Sequence, residues 1–545
     1  MSFDSIMEAA RAHGILSIIS SWIHAMLSNR ILCCSLRQTE IRRLSVCGCP
    51  QGGVLSPLLW NLVADGLLSR LNQLGFPSYG FADDYLILII GLCISTIFDL
   101  IQQTLRTVEQ WCQQVGLSVN PKKTNMVLFT KKRNTSGAHP LRFFGSELVC
   151  VEQVKYVGVI LDSRLTWSAH IDFRIKKACM AFGKTWGLKP KYIYWMYTTI
   201  VRPILTYGCL VWWQRGEVRT VQSKLNHLQR MALMAMTGAF TTTPTAALEA
   251  LLDIQPLHVF LKQEAFNCAY RLHATGCWNS NPVDSTVSHI RLWPQIVAMG
   301  EEILAPSDLT LACSFPYRTF YVKIPCRKEW LSGFVERRLE EQVTCYTDGS
   351  LMEGRAGAGV YCREMRLEQS HSLGRYCTVF QAEIYAIMCG TQAALQQELC
   401  GKIINLCSDS QSAIKALSSA DSRSKLVIAC RDKLEELSIL NAVNLIWVPG
   451  HSGITGNEWA DELARVGAET DFVGPEPALP ISSCWIKQKI RSWASSEHAR
   501  CWRNIATCRQ TKAFLLEPSM VLSKNLLHFA KRNCCILVRA LTGHC

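Results

Sequence analysis

The chain has 545 residues, more than a single hydrophobic core usually serves, so we expect two to four domains. Apolar residues make up 49% of it and charged residues 18%, which fits a folded protein and excludes a mainly disordered one. The 57 basic and 43 acidic residues give a formal net charge of +14, which favours a polyanionic partner.

The 26 cysteines follow no regular spacing and contain no Cys-x-x-Cys pair, which favours free thiols over a disulfide framework or a zinc site. The N-terminus has no basic, apolar, small-residue signal sequence. Both features predict an intracellular protein that is not secreted, without favouring nucleus or cytoplasm. The apolar run Leu86–Phe98 is too short to span a bilayer. It predicts a buried strand followed by a buried helix, and we expect no membrane partner.

The first segment contains a glycine turn that leads into an apolar helix, PQGGVLSPLL, and then the run FADDYLILII. In this run two adjacent acids, Asp83 and Asp84, precede strongly β-forming residues. Because adjacent residues of a strand point to opposite faces, the pair is best placed in a tight hairpin turn. Alone, an acidic turn is a weak signal, since aspartate is an ordinary turn residue.

Four segments in order, PQGGVLSPLL, FADD, GLSVNPKKT and VKYVGVILDSRLTW, resemble palm and thumb-proximal motifs of reverse transcriptases from non-LTR, jockey-like retrotransposons. The resemblance implies that Asp83 and Asp84 bind metal. It also implies that Gln51 and Gly52 lie near the incoming nucleotide and that Lys123 acts as a general acid on the substrate.

The family places another metal-binding aspartate on a strand before the segment that resembles SFDSIMEAARAHGI, where this chain begins. The end of the chain resembles the approach to a Cys/His zinc knuckle. The resemblance therefore implies a copy truncated at both ends. Without the third carboxylate a two-ion site loses a bridging ligand, so we expect that this chain alone does not polymerise DNA.

The middle segment is rich in aromatic and basic residues, with eight basic residues and no acid between Asp172 and Glu217. Basic side chains can neutralise phosphates while aromatic faces stack on bases. The alternative, that the aromatics form helix core and the lysines a solvated face, is the better interpretation for the aromatics. By the resemblance this stretch is thumb and connection, which would grip a template–primer duplex.

The third segment, residues 343–470, has the order strand, strand, helix, strand, helix, helix, strand, helix. Asp348 follows a β-rich run, Glu383 opens an amphipathic helix, and Asp409 ends an apolar strand. Asp461 lies on a helix after a glycine-rich loop that carries His451. If the strands are neighbours, these four carboxylates converge.

Four carboxylates in one cleft raise each other's pKa, and hard divalent cations with oxygen ligands resolve that conflict. Two such ions suit in-line attack of water on a phosphodiester, and a loop histidine can transfer a proton to the leaving group. Any one of these acids taken singly is more simply a solvated surface carboxylate. Their order, with His451 ten residues before Asp461, argues against that alternative for the set.

The segments TDGS, AEIYAI, SDSQSAI and VPGHSGITGNEWAD resemble, in order and spacing, type 1 ribonuclease H. The resemblance implies a mixed five-stranded sheet with flanking helices and cleavage of RNA–DNA hybrids. It assigns catalysis and the binding of two Mg²⁺ ions, or Mn²⁺ in their place, to Asp348, Glu383, Asp409 and Asp461. It makes His451 catalytic and places Asn457 on the substrate side.

We therefore expect a mixed α/β protein in four parts. These are a partial palm at 1–170, a mostly helical thumb and connection at 171–340, a ribonuclease H domain at 341–472 and a basic tail at 473–545. Residues 343–470 hold 15 acidic and 11 basic residues, so the basic surplus lies in the flanking parts.

The favoured function is ribonuclease H activity in a retrotransposon-derived RNA-directed DNA polymerase polyprotein. The alternative is a non-catalytic nucleic-acid-binding remnant of such a protein. Neither function predicts an oligomeric state.

Overall fold

The computed structural model describes residues 1–36, 39–130, 132, 137–183, 187–277, 290–331 and 342–543. These residues form two compact units, Met1–Phe173 and Arg174–Cys545. The boundary expected at residues 340 and 341 lies outside the described residues. Within the described ranges, no helix has both the length and the apolar character that crossing a membrane requires.

The first unit combines long helices with short β-hairpins. Its helices are α1 (Phe3–Ala12), α2 (Ser17–Ser28), α3 (Ser56–Gln73), α4 (Ile94–Val115) and the start of α5 (Ser168–Phe182), with a 3-10 turn at Pro121–Lys123. Its antiparallel strand pairs are β1 (Ile31–Leu36) with β2 (Thr39–Leu44), β3 (Ser78–Phe81) with β4 (Asp84–Ile87), β5 (Leu141–Phe143) with β6 (Ser146–Leu148), and β7 (Gln153–Tyr156) with β8 (Val159–Asp162). Apolar faces of α1, α2, α3 and α4, together with residues of β5 and β6, form its core.

The apolar run Leu86–Phe98 forms a strand and a helix, as expected, but its middle is not buried. The strand ends at Ile87, and the side chains of Ile90 and Leu92 are 87% and 92% exposed. The run re-enters the core only at Ile94 and Phe98 in α4. The strand and the helix form as predicted, although the strand is only partly buried, and the exposed apolar residues lie in the connection between the two elements.

The second unit begins with a helical region and a short strand segment. Its helices are α6 (Pro190–Met196), α7 (Arg202–Leu205), α8 (Cys209–Trp212), α9 (Arg219–Thr237), α10 (Thr245–Leu251), α11 (Leu257–Ala274), α12 (Trp293–Val297) and α13 (Arg327–Leu331). A π-helical segment at Tyr197–Val201 joins α6 to α7, and 3-10 turns lie at Trp213–Glu217, Ile290–Leu292 and Glu301–Leu304. Buried side chains of α9, α10 and α11 supply much of the core of this helical region.

A mixed six-stranded sheet follows, in the order β10-β16-β14-β11-β12-β13. Its strands are β10 (Tyr321–Lys323), β11 (Val343–Met352), β12 (Arg355–Cys362), β13 (Leu367–Gly374), β14 (Ile403–Ser408) and β16 (Ala442–Trp447). Strands β11, β12 and β13 pair antiparallel, whereas β10, β16, β14 and β11 pair parallel. A separate antiparallel pair joins β9 (Leu309–Ser314) to β15 (Asp421–Ser424). The mixed α/β prediction is confirmed, and β10 adds a strand from before the expected domain.

Four helices cover this sheet, namely α14 (Val379–Gln396), α15 (Gln411–Ser418), α16 (Lys425–Leu437) and α17 (Thr455–Glu469). A Cβ atom at Gly357 of β12 would lie 2.2 Å from the Ala468 amide nitrogen of α17. Val360, three residues further along the same strand, lies next to α14 instead, because a Cβ atom at Gly390 of α14 would be 3.4 Å from Val360 Cγ1. Because alternate strand residues point to opposite faces, α14 and α17 pack on opposite faces of the sheet.

After the sheet the chain returns to the helical region. Its last helices are α18 (Ser483–Asn504), α19 (Arg509–Phe514), α20 (Met520–His528) and α21 (Lys531–Thr542). The Ser523 hydroxyl donates to the Leu252 carbonyl at 2.6 Å. The chain enters and leaves the sheet side by side, since a parallel bridge joins Ser307 to Ile481 and the Ile481 amide donates to the Pro306 carbonyl at 2.8 Å.

Candidate active site

The acids predicted from sequence lie where two neighbouring parallel strands stop pairing. The last paired residues of β11 and β14 are Thr347 and Ser408. Asp348 and Asp409 follow them directly, so their side chains emerge at the same place on the sheet. Asp348 lies inside β11 and not at its end, because β11 continues in pairing with β12 after β14 has ended. Glu383 reaches the same place from α14.

Three of the four predicted acids form one group. Carboxylate oxygens of Asp348, Glu383 and Asp409 all lie within 4.8 Å of one another. Asp348 and Glu383 are buried, and Asp409 is partly exposed. The Ser408 hydroxyl donates to Glu383 Oε2 at 3.4 Å, and Ser408 is itself fully buried. Ser408 is not among the residues predicted for the site.

Burial and mutual repulsion disfavour the charged forms of these acids. Burial raises the pKa of Asp348 to about 7, and the charges of Asp409 and Asp461 act in the same direction. Burial also raises the pKa of Glu383, again with repulsion from Asp348, and burial is the main cause of the raised pKa of Asp409. An all-oxygen donor set that resists ionisation without a counter-charge fits a hard divalent cation such as Mg²⁺.

Asp461 borders this group without joining it. Its Oδ2 atom lies 2.7 Å from an Arg465 guanidinium nitrogen one helical turn away in α17. The same oxygen lies 3.9 Å from Nδ1 of His451. Arg465 is not among the residues predicted for the site, although an opposite charge four residues after an acid on a helix is a recognisable signal in the sequence.

His451 lies on the loop between β16 and α17, and its side chain is 81% exposed. The loop passes close to the acids, because a Cβ atom at Gly450 would lie 2.4 Å from Asp409 Oδ2. Asn457, at the start of α17, is 3% exposed. Its Oδ1 atom finds no hydrogen-bond partner among the described residues. The loop therefore presents an exposed imidazole beside the acids, and the helix that follows it contributes a buried amide.

The residues predicted for a polymerase site lie in the first unit, on turns that are separate from one another. The hairpin prediction for Asp83 and Asp84 is confirmed, because β3 and β4 pair Phe81 with Asp84 around the turn Ala82–Asp83. Both acids are exposed.

The other three polymerase candidates lie on separate local structures of the first unit. Gln51 and Gly52 form the turn before α3, and Lys123 ends a 3-10 turn. In the described part of that unit, no group of three or more His, Cys, Asp or Glu side chains lies close enough to hold a metal.

Two protein families match the chain. Residues 340–469 match RNase H, and residues 1–161 match reverse transcriptase (RNA-dependent DNA polymerase). Residues 340–469, which include five strands of the sheet, are therefore a ribonuclease H domain, in a chain that also carries a reverse transcriptase region.

Curated relatives come from mobile elements. The chain is 29% identical over 221 residues to the Retrovirus-related Pol polyprotein from type-1 retrotransposable element R1 of Nasonia vitripennis, which covers 38% of this chain and 65% of that protein. It is 29% identical to the RNA-directed DNA polymerase from mobile element jockey of Drosophila funebris, over 35% of this chain and 22% of that protein. The chain is thus a homologue of non-LTR retrotransposon RNA-directed DNA polymerases. Each of these matches spans less than two thirds of the relative's own length.

Solved structures similar to part of the chain include RNase H1 from Halobacterium salinarum, at 28% identity and a TM-score of 0.20. That match covers 23% of this chain and 96% of the archaeal one. The N-terminal RNase H domain of a Mycobacterium tuberculosis protein, solved as a fusion with maltose binding protein, is 21% identical with a TM-score of 0.20. It covers 23% of this chain and 94% of that one.

Proposed function

We propose that the chain is a metal-dependent endoribonuclease that cuts the RNA strand of RNA–DNA hybrids. The observation that carries the proposal is the group formed by Asp348, Glu383 and Asp409, whose carboxylate oxygens lie within 4.8 Å of one another. The match of residues 340–469 to RNase H supports the reaction class. Together, a hydrolase family and an all-oxygen donor set favour phosphodiester hydrolysis over a purely structural role.

Each site residue has a proposed role. Asp348, Glu383, Asp409 and Asp461 would hold two Mg²⁺ ions, with Mn²⁺ able to replace them. Bound divalent cations would lower the pKa of an attacking water and neutralise charge on the phosphate. The exposed imidazole of His451 is free to approach the leaving oxygen and to deliver a proton to it. The buried amide of Asn457 would orient the substrate strand.

The acidic site and the basic flanks suggest separate tasks within one polyprotein. Residues 343–470 are acidic on balance, so the positive surplus lies in the other segments, where it would hold the backbone of a hybrid or of a template–primer duplex. We propose the division into a partial palm at 1–170, a thumb and connection at 171–340, a ribonuclease H domain at 341–472 and a basic tail at 473–545.

The polymerase part is proposed to be inactive in this chain. Asp83 and Asp84 are assigned to metal binding, with Gln51, Gly52 and Lys123 on the nucleotide side. These residues lie on separate turns, and the described part of the first unit offers no three-ligand group around them. Primer extension by the purified 545-residue chain on an RNA template should stay at background, and extension above background would refute this part of the proposal.

The deciding experiment is cleavage of a labelled RNA–DNA hybrid by the whole chain with and without Mg²⁺. We expect Mg²⁺-dependent cleavage, and we expect Asp409→Asn to lower the rate about a thousandfold, because several kcal/mol of transition-state stabilisation depend on the metal site. Asp432→Asn is the matched control, since Asp432 is an exposed acid on α16 of the same domain. Equal rates for Asp409→Asn and the parent would show that the site is wrongly assigned.

The excess of basic residues outside the domain favours one alternative, a nucleic-acid-binding protein without catalysis. It predicts hybrid binding that weakens steeply with salt and no Mg²⁺-dependent cutting. Measuring binding and cleavage on the same labelled hybrid separates the two functions.

A further inference from the structure

A segment that precedes the RNase H match lies against the domain. We call residues 305–331 the strap. Its strand β10 pairs in parallel with β16, and its strand β9 pairs with β15. Asp308 of the strap is buried, and its carboxylate accepts from the Ser424 hydroxyl at 2.7 Å and from the Leu426 amide at 2.9 Å. These bonds cap the start of α16, so the strap is structurally part of the domain.

The last side chain of the strap that the structure describes is Trp330 in α13. It is only 4% exposed and belongs to a small apolar cluster with Cys407, Ile446, Val448 and Ile454. Val448 and Ile454 stand immediately before and after the loop at 449–453, which carries His451. The indole ring of Trp330 therefore packs under both ends of that loop.

Two indole N–H groups connect the strap to an acid of the site. Trp330 Nε1 donates to the Trp447 carbonyl at 3.1 Å. Trp447 Nε1 in turn donates to the Asp409 carbonyl at 3.0 Å. The first bond fixes the end of β16, and the second joins that end to the backbone that carries the Asp409 carboxylate. Catalytic groups depend on such supporting hydrogen bonds for their orientation.

We propose that Trp330 is a positioning residue for the ribonuclease H site, which holds the His451 loop and the Asp409 backbone in place through Trp447. This inference rests on the proposed function and goes beyond it, since Trp330 lies outside the matched residues 340–469. A purely structural role would affect the stability of the fold. A positioning role also affects turnover by the protein that remains folded.

The test variant is Trp330→Phe in the whole chain, which keeps an apolar ring in the cluster and removes the N–H donor. We expect kcat to fall about 3- to 10-fold, with KM for the hybrid unchanged, because one buried hydrogen bond is lost and no substrate contact is touched. Trp502→Phe is the matched control. Trp502 is 2% exposed and donates to the Leu515 carbonyl at 3.1 Å in the last helices of the chain.

A second readout does not depend on activity or on metal. In metal-free protein, hydrogen–deuterium exchange of the backbone amides of residues 448–454 should be faster in Trp330→Phe than in the parent. Trp502→Phe should leave this exchange unchanged while it lowers the thermal midpoint. If the parent does not cleave the hybrid, the proposed function fails, and the exchange data still decide the role of Trp330.

Unchanged kcat and unchanged loop exchange in Trp330→Phe would overturn the inference. A fall in kcat that is fully explained by a larger fraction of unfolded Trp330→Phe protein would also overturn the inference. If Trp330→Phe does not fold, Trp447→Phe replaces it, because this variant keeps the Trp330 side chain and the backbone carbonyl to which it donates, and removes the bond to Asp409. Parent-like kcat and loop exchange in that variant would equally contradict the proposal.

Discussion

Carboxylate oxygens of Asp348 and Asp409 lie within 4.8 Å of each other, directly after the last paired residues of two parallel strands. Two charged carboxylates at that distance repel each other. Burial, together with the charges of Asp409 and Asp461, raises the pKa of Asp348 to about 7. A divalent cation bound between these acids would offset the repulsion.

This arrangement predicts that Mg²⁺ stabilises the second unit. At a Mg²⁺ concentration about 100 times the dissociation constant, the gain is about 2.7 kcal/mol by mass action. Asp348→Asn should abolish the gain and should stabilise the metal-free protein, because one of the repelling acids is removed. Thermal unfolding with and without Mg²⁺ measures both effects, and Asp432→Asn should behave as the parent does. A Mg²⁺ shift of parental size in Asp348→Asn would contradict the assignment of the site.

His451→Ala tests proton transfer from the loop. We expect kcat to fall about 100-fold, because positioned acid–base groups contribute at least that much to hydrolysis. Stability should change little, since the His451 side chain is mostly exposed. His528→Ala, at an exposed histidine near the end of the chain, is the control for a surface histidine. Steady-state cleavage kinetics and thermal midpoints of both variants check the prediction.

Glu249 of α10 is predicted to make stability depend on pH. Its side chain is buried and accepts from Gln229 Nε2 at 2.5 Å, and burial raises its pKa to about 7. Because the folded pKa exceeds the ordinary value, this contribution to stability is complete below about pH 4.5 and is lost as the pH rises through about 7.

Glu249→Gln cannot ionise, so above pH 7 its free energy of unfolding should exceed that of the parent by roughly 1–3 kcal/mol. The two proteins should converge near pH 4.5. Denaturant titrations across this range give the comparison, with Glu301→Gln at an exposed glutamate as the control. A constant difference at every pH would show that the effect does not come from ionisation.

Gly357→Ala tests the close approach of α17 to the sheet. The new Cβ atom would meet the Ala468 and Ala464 backbone of α17 at 2.2 and 2.3 Å. We expect a loss of about 2–3 kcal/mol, because a packed helix must move to accept one methyl group. Gly354→Ala, at a turn glycine with positive φ and open space around it, should cost about 1 kcal/mol. Since α17 carries Asp461, only Gly357→Ala should also lower hybrid cleavage in its folded fraction.

The sequence was sufficient to predict the mixed sheet and the convergence of Asp348, Glu383 and Asp409, because strand and helix patterns and the order of motifs are local signals. The sequence pattern did not predict strand β13, because its residues, LEQSHSLG, contain no continuous apolar run. The contact of Trp330 with Trp447 joins residues 117 positions apart, and no local pattern reports such a contact. The pairing of Asp461 with Arg465, by contrast, could have been predicted, because opposite charges four residues apart on a helix are a local signal.

The bridge between Ser307 and Ile481 brings the two ends of residues 307–481 together, so this segment can be removed or inserted as one cassette. The chain departs from the helical region and returns to it at adjacent points, so a short linker between residues 306 and 482 would close the gap without stretching either side. Residues 307–331 of the strap lie inside that cassette, which keeps Trp330 and Asp308 with the sheet that they support. Grafting experiments and truncation libraries should therefore be cut at residues 306 and 482, because cuts at 340 and 469 would separate the domain from the strap.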